Sequence, residues 1–227
     1  HAMPAVHDGG GSGKPRLKSN IDFGSSEETV LIDTSMFYQG GSKMADNHDR
    51  KIKGKGTLII MHPVGSRNDD SSGKMFDLDW EGDVFVLGYP DDRSSGVGEN
   101  SATDNLIFLS RAQWDIKGNV VVVTRGQTEA SVEMEGASSS DASKLKVEGS
   151  LLIFGDANTE ESELDIEKWA HVEVKGILGM YGASVEIEVQ NSSNTSLKVD
   201  GTFATGLSGT RTNDDFDFEA TGDTTLK

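Results

Sequence analysis

Six times in this chain a short alternating segment runs into a glycine and then into an apolar run: KIKGKGTLII, LDWEGDVFVLG, WDIKGNVVVVTRG, LKVEGSLLIFG, VEVKGILGMYG and LKVDGTFATG. The anchor glycines Gly56, Gly82, Gly118, Gly149, Gly176 and Gly201 lie 26, 36, 31, 27 and 25 residues apart, and Gly222 opens a shortened seventh unit 21 residues later. A period of that size, filled with strands rather than helices, is the signature of a β-solenoid. The expected fold is therefore all-β: a single-stranded parallel β-helix, right-handed, of about six to seven coils with three strands per coil. The competing architecture is an antiparallel sandwich or barrel.

Three strands per coil are clearest near the end of the chain. Between Gly149 and Gly176 they read LLIFG, ELDIE and HVEVKG, and the next turn repeats them as ILGMYG, SVEIEVQ and SLKVDG. Side chains before each glycine alternate, which sends one set inward and the other to water. Leu145, Val147, Val172, Val174, Leu197 and Val199 are expected inside, with the larger fillers Phe76, Leu78, Trp80, Trp114 and Ile116 in the earlier coils. Their charged neighbours should stack into mixed-charge ladders about 4.8 Å per step. Glycine at each junction is read as supplying the positive φ of a sharp corner.

The repeat also sets the domain plan: a flexible tag or linker over 1–19, an N-terminal cap over 20–50, and the solenoid over 51–227. A cap is expected because the first coil otherwise exposes unpaired strand edges. His1-Ala2-Met3 reads as the remnant of a cleaved tag, so any native signal or anchor is expected upstream of this sequence. With 38 acidic against 21 basic residues the formal charge is −17. That balance speaks against nucleic acid, whose phosphates need Lys and Arg, and against direct contact with an anionic membrane surface. The chain has no cysteine, which excludes disulfides and thiolate metal sites.

The run after each glycine breaks the alternation. TLIIM, VFVLG, VVVV, LLIFG and ILGMYG are apolar on both faces, the pattern of a strand covered from both sides. If the register continues through the corner, the outward set is Ile59, Met61, Phe85, Leu87, Val121, Val123, Leu152, Phe154 and Tyr181; a shift of one residue there would exchange it for the other set. A contiguous apolar stripe of that extent marks an interface. Three covers are open: the chain's own excursion over 89–105 or its N-terminal segment, a protein partner or second subunit, or a glycan whose rings stack on Phe85, Phe154 or Tyr181.

No catalytic constellation or organic cofactor is assigned. The outward acids Asp77, Asp79, Glu81, Glu133, Glu135, Asp165, Glu167, Glu186 and Glu188 follow from strand alternation and are read as solvated. The five histidines do not gather. The loop over 91–104 concentrates Asp91, Asp92, Glu99 and Asp104, oxygen ligands of the kind Ca²⁺ takes, but without EF-hand spacing.

The phrases LKVEGSLLIFG and LKVDGTFATG, with SELDIEKWAHVEVKG and SVEIEVQ between them, resemble the β-solenoid heads of some bacterial type IV minor pilins and pilus-associated proteins, over about residues 51–206. That resemblance implies a non-enzymatic structural or adhesive module, extracellular or at the cell surface. A second resemblance is to the bactofilins, whose similar β-helix polymerises end to end. A polysaccharide-acting β-helix enzyme is the alternative from another class.

Overall fold

A computed structural model describes residues 6–8, 15–33, 38–39, 43–44, 47, 49–64, 75–90, 107–123, 130–155, 162–190, 194–207 and 216–226. Strands Val6–Asp8 (β1) and Pro15–Leu17 (β2) pair antiparallel, as do Tyr38–Gln39 (β4) and Lys43–Met44 (β5). Between these pairs Ile21–Asp33 (β3) begins the parallel stack, followed by two long rungs, Lys51–Val64 (β6) and Asp77–Pro90 (β7). Shorter strands follow in threes. They are Ile107–Ser110 (β8), Gln113–Ile116 (β9), Val120–Val123 (β10), Ala130–Glu135 (β11), Ser143–Val147 (β12), Leu151–Phe154 (β13) and Ser162–Glu167 (β14). After them come Ala170–Val174 (β15), Leu178–Gly182 (β16), Val185–Val189 (β17), Ser196–Val199 (β18), Phe203–Leu207 (β19), Phe216–Ala220 (β20) and Asp223–Thr225 (β21).

The rungs stack in parallel as a β-solenoid, with no helix among the described residues. One wall runs β3-β6-β7-β10-β13-β16-β19, and a second continues from β7 through β9-β12-β15-β18-β21. The third is β8-β11-β14-β17-β20. The first two walls are arms of one sheet, because β6 and β7 pass through Gly56 and Gly82 without a break. The third wall holds five strands among the described residues, so five turns have all three sides, fewer than the six to seven expected from the glycines.

The alternation puts the expected fillers inside: Leu78, Trp80, Trp114, Ile116, Leu145, Val147, Val172, Val174, Leu197 and Val199 are at most 2% exposed. Two tryptophans fill the widest coils. Trp114 Nε1 donates to the Phe76 carbonyl (2.9 Å) and its ring stacks on Phe76, centroids 6.3 Å apart. Trp80 Nε1 donates to the Gly56 carbonyl (3.0 Å), so neither indole N–H is buried unpaired.

The glycine ladder has a different cause from the one expected for most of its members. Gly56 (φ 102°) and Gly82 (φ 153°) do take positive φ, but Gly118, Gly149, Gly176 and Gly201 do not. At these four the constraint is stacking. A Cβ on Gly118 would lie 2.4 Å from the Gly82 carbonyl oxygen, and one on Gly176 would lie 2.7 Å from that of Gly149. Each of those carbonyls accepts the N–H of the glycine one coil on, at 3.0 Å and 2.8 Å, which is why the backbones come so close.

The two ends differ. Leu17, 1% exposed, covers the first coil; its N–H donates to Asn47 Oδ1 (2.8 Å) and its carbonyl accepts Arg50 Nε (3.1 Å). At the other end Phe216 and Phe218, which continue the interior rows of Val185 and Ile187, are 42% and 37% exposed and stack at 6.5 Å.

Candidate interaction face

The three walls present three chemically different outer faces. On the second wall the outward positions form a mixed-charge ladder. Glu148 meets Lys146 (3.4 Å), Lys175 (3.1 Å) and Lys117 (3.6 Å), while Lys198 joins Glu173 (3.7 Å) and Asp200 (3.3 Å). The Lys175 ammonium, with Lys146 and Lys117, holds the Glu148 carboxyl below its usual range. Exposed pairs of this kind contribute little individually, and their effect is to balance charge on this wall. Its edge carries a shallow polar cleft of about 320 Å³ lined by Asp22, Lys53, Asp79 and Glu81, where Lys53 Nζ sits 2.9 Å from Asp22.

The third wall is acidic. Parallel register aligns Glu133, Asp165, Glu188 and Glu219 in one row and Glu163, Glu186 and Asp217 in the next. Like charges one strand apart repel. Burial, then the carboxylates of Glu167, Glu163, Glu133 and Glu188, push the Asp165 carboxyl up to about 8. Gln190 Nε2 donates to Asp165 Oδ1 (3.3 Å) and to Glu188, and Lys168 reaches Glu135 (3.2 Å) and Glu167 (3.7 Å). Sequence alternation indicated outward acids here but not their alignment, which depends on loop lengths between rungs.

The first wall carries the apolar stripe. Ile59, Phe85, Val121 and Leu152 pair rung to rung in one row; Met61, Leu87, Val123, Phe154 and Tyr181 form the second. Each of the nine follows a buried residue and is itself partly or well exposed, Phe154 and Tyr181 at 36%. The glycine corner thus leaves the register unshifted, because the first two rungs run straight through it. Leu31, 49% exposed, extends the first row by one rung and was not among the residues expected there. Its run, Thr29-Val30-Leu31-Ile32, within the segment 20–50, pairs in parallel with Thr57-Leu58-Ile59-Ile60 as a rung.

Beyond Leu152 the first row continues as Gly179 and Ala204, and beyond Tyr181 the second ends on Gly206. Leu152 leans over Gly179 and the Tyr181 ring over Gly206, each within 2.8 Å of where a Cβ would sit. The first row therefore thins from Leu31 toward Gly179 and Ala204, while the second stays bulky through Phe154 and Tyr181 and drops only at Gly206. Along its corner side runs a hydrogen-bonded polar ladder. Asp83 Oδ1 accepts the Asn119 N–H (2.8 Å), Asn119 Oδ1 that of Ser150 (2.9 Å), and Ser150 Oγ that of Ile177 (3.0 Å).

The sequence-derived calcium ligands Asp91, Asp92, Glu99 and Asp104 lie outside the described residues, as does most of the excursion over 89–105. Among the described residues no group of three or more His, Cys, Asp or Glu is arranged to hold a metal ion. Compared with known proteins, the chain matches no family model, no curated protein and no solved structure.

Proposed function

We propose that the chain is a non-enzymatic structural module of a cell-surface or pilus-associated assembly, and that its apolar first wall is the surface through which it is built in. The observation that carries this reading is the double row from Ile59 to Tyr181, which is nearly free of charge in a chain of formal charge −17. Contiguous exposed apolar area of this extent is characteristic of interaction sites. The pilus and cell-surface setting rests on the likeness of the repeat phrases to minor-pilin heads.

Hydroxyl-radical labelling of the isolated chain tests the surface reading. Phe85, Phe154 and Tyr181 label readily if the wall is open to a partner; strong protection in a monomer would mean that the chain covers its own face, and would sink it. Detection of the intact protein outside the cell, by antibody on unpermeabilised cells, tests the setting; its confinement to the cytoplasm would remove that part.

A polysaccharide-acting enzyme is the second reading, favoured by one feature: burial and the surrounding carboxylates push the Asp165 carboxyl up to about 8 in a row with Glu133 and Glu188, and an acid raised beside a carboxylate is the division of labour that glycoside hydrolysis uses. Turnover of an acidic polysaccharide that disappears in Asp165→Asn would establish it. A bactofilin-like filament former is the third, favoured by the exposed Phe216 and Phe218 at the last described coil; electron microscopy of the purified chain would show the polymers.

A further inference from the structure

Resting on the reading of the first wall as an interaction surface, we infer that its occupant is a second copy of this chain, packed face to face about a two-fold axis that runs along the strands. Three observations lead there.

The first is charge. Two chains of formal charge −17 repel most where their acids are unbalanced, as on the third wall, which aligns Glu133, Asp165, Glu188 and Glu219 in a single row. In the two rows of the first wall, Asp33 is the one charged position among the described residues. It stands at the extreme rung.

The second is extent. Seven rungs at about 4.8 Å per step and about five residues per strand make a face of about 29 Å by about 17 Å, about 500 Å² per copy. Doubled, that reaches the roughly 1,000 Å² at which a specific protein–protein interface becomes credible. Two such faces pack about 10 Å apart as a sheet sandwich.

The third is shape, and it selects the axis. The first row is thick at Leu31 and both rows end thin, at Ala204 and Gly206, so a reversed order of rungs sets bulk over gap at the two ends. A two-fold axis along the strands does this and keeps each row opposite itself. It sets Leu31 over the partner copy's Ala204, and Ile59 over its Gly179. Met61 then faces a tyrosine ring, Tyr181, a favourable sulfur–aromatic pairing. Val121 and Val123, on the middle rung β10, meet their own counterparts on the axis. An axis along the solenoid instead would set each rung over its own counterpart and exchange the rows, placing Leu31 over the partner's Asp33 and leaving a gap at the β19 end.

Sedimentation velocity on the full chain is the first test. At about 200 µM, high for an interface of this size, the expected species has twice the 24.3 kDa chain mass, and Val121→Glu returns it to one copy with an unchanged circular dichroism spectrum. The absence of cysteine allows a geometric test with single thiols. A bismaleimide spanning about 10 Å joins two copies of Val121→Cys and fails with Leu31→Cys, whose copies sit at opposite ends of the sandwich. Efficient linkage through Leu31→Cys would overturn the axis. A dimer indifferent to Val121→Glu, or a monomer at that concentration, would overturn the second copy as occupant. The labelling of Phe85, Phe154 and Tyr181 separates the failures: a monomer with labelled rings loses only the dimer, whereas protected rings in a monomer remove the interaction surface itself.

Discussion

Trp80 takes the space that a side chain on Gly54 would need. The two residues are register partners on adjacent rungs, and a Cβ on Gly54 would lie 2.5 Å from Cζ3 of the indole. Gly54→Ala is expected to destabilise the chain by about 1–3 kcal/mol, the usual cost of overpacking a filled core. Trp80→Phe, which withdraws the outer ring atoms, should make the same substitution nearly neutral. Denaturant unfolding of the two single variants and the double variant measures this coupling, and additive costs would show that the crowding is relieved elsewhere.

The ladder glycines give a sharper contrast. Where glycine serves only flexibility and φ is ordinary, Gly→Ala stabilises by about 0.4–1 kcal/mol through the unfolded chain. Gly149 has no positive φ, yet its Cβ would meet Asn119 Oδ1 at 2.5 Å and the Gly118 carbonyl oxygen at 2.6 Å. Gly149→Ala is therefore expected to lower stability by about 2 kcal/mol or more. A neutral or raised melting temperature would refute the stacking account.

Much of the fold was legible because one glycine phrase recurs with strands of period two on either side of it. The inward set needed only alternation, and the outward stripe needed only that the corner preserve register. What stayed hidden depends on distances between rungs. Ile21–Asp33 looks unlike the later repeats since it lacks their glycine phrase, and its bulge between Asp22 and Glu27 disguises its pairing with β6. The alignment of Asp165 with Glu133 and Glu188 follows from loops of unequal length, which no local pattern encodes. The role of glycine was right at Gly56 and Gly82 and incomplete at the others, because carbonyl stacking is a relation between coils.

Asp165 makes the chain sensitive to pH in a defined direction. Its carboxyl is pushed up to about 8 in the folded chain against 3.8 ordinarily, so between those values the folded state holds a proton that the unfolded state has released. Stability attributable to this group is present at about pH 4 and is lost as pH rises toward about 8. Asp165→Asn should flatten that slope and raise the melting temperature at pH 8. Burial is the larger cause and Glu167, Glu163, Glu133 and Glu188 add to it, so added salt should lessen only the part that these carboxylates contribute. An unchanged pH profile in Asp165→Asn would show that another group carries it.

Asn119 links three coils, donating through Nδ2 to Asp83 Oδ1 (3.0 Å) while its own Oδ1 accepts the Ser150 N–H. Asn119→Ala is expected to cost about 1 kcal/mol, the net worth of such bonds. Asn119→Asp keeps the acceptor but sets a second carboxylate against Asp83, so its cost should be larger at pH 7 than at pH 3. Equal costs at both would mean that the corner does not depend on this ladder.

The plug at Leu17 and the open aromatic edge at Phe216 and Phe218 give the stack a direction of growth. Each rung offers its hydrogen bonds to one that arrives later in the sequence, and the first coil is sealed by residues that precede or closely follow it. A ribosome delivering this chain supplies every template before the strand that must lie on it. Order can therefore advance coil by coil while the remainder is still being made.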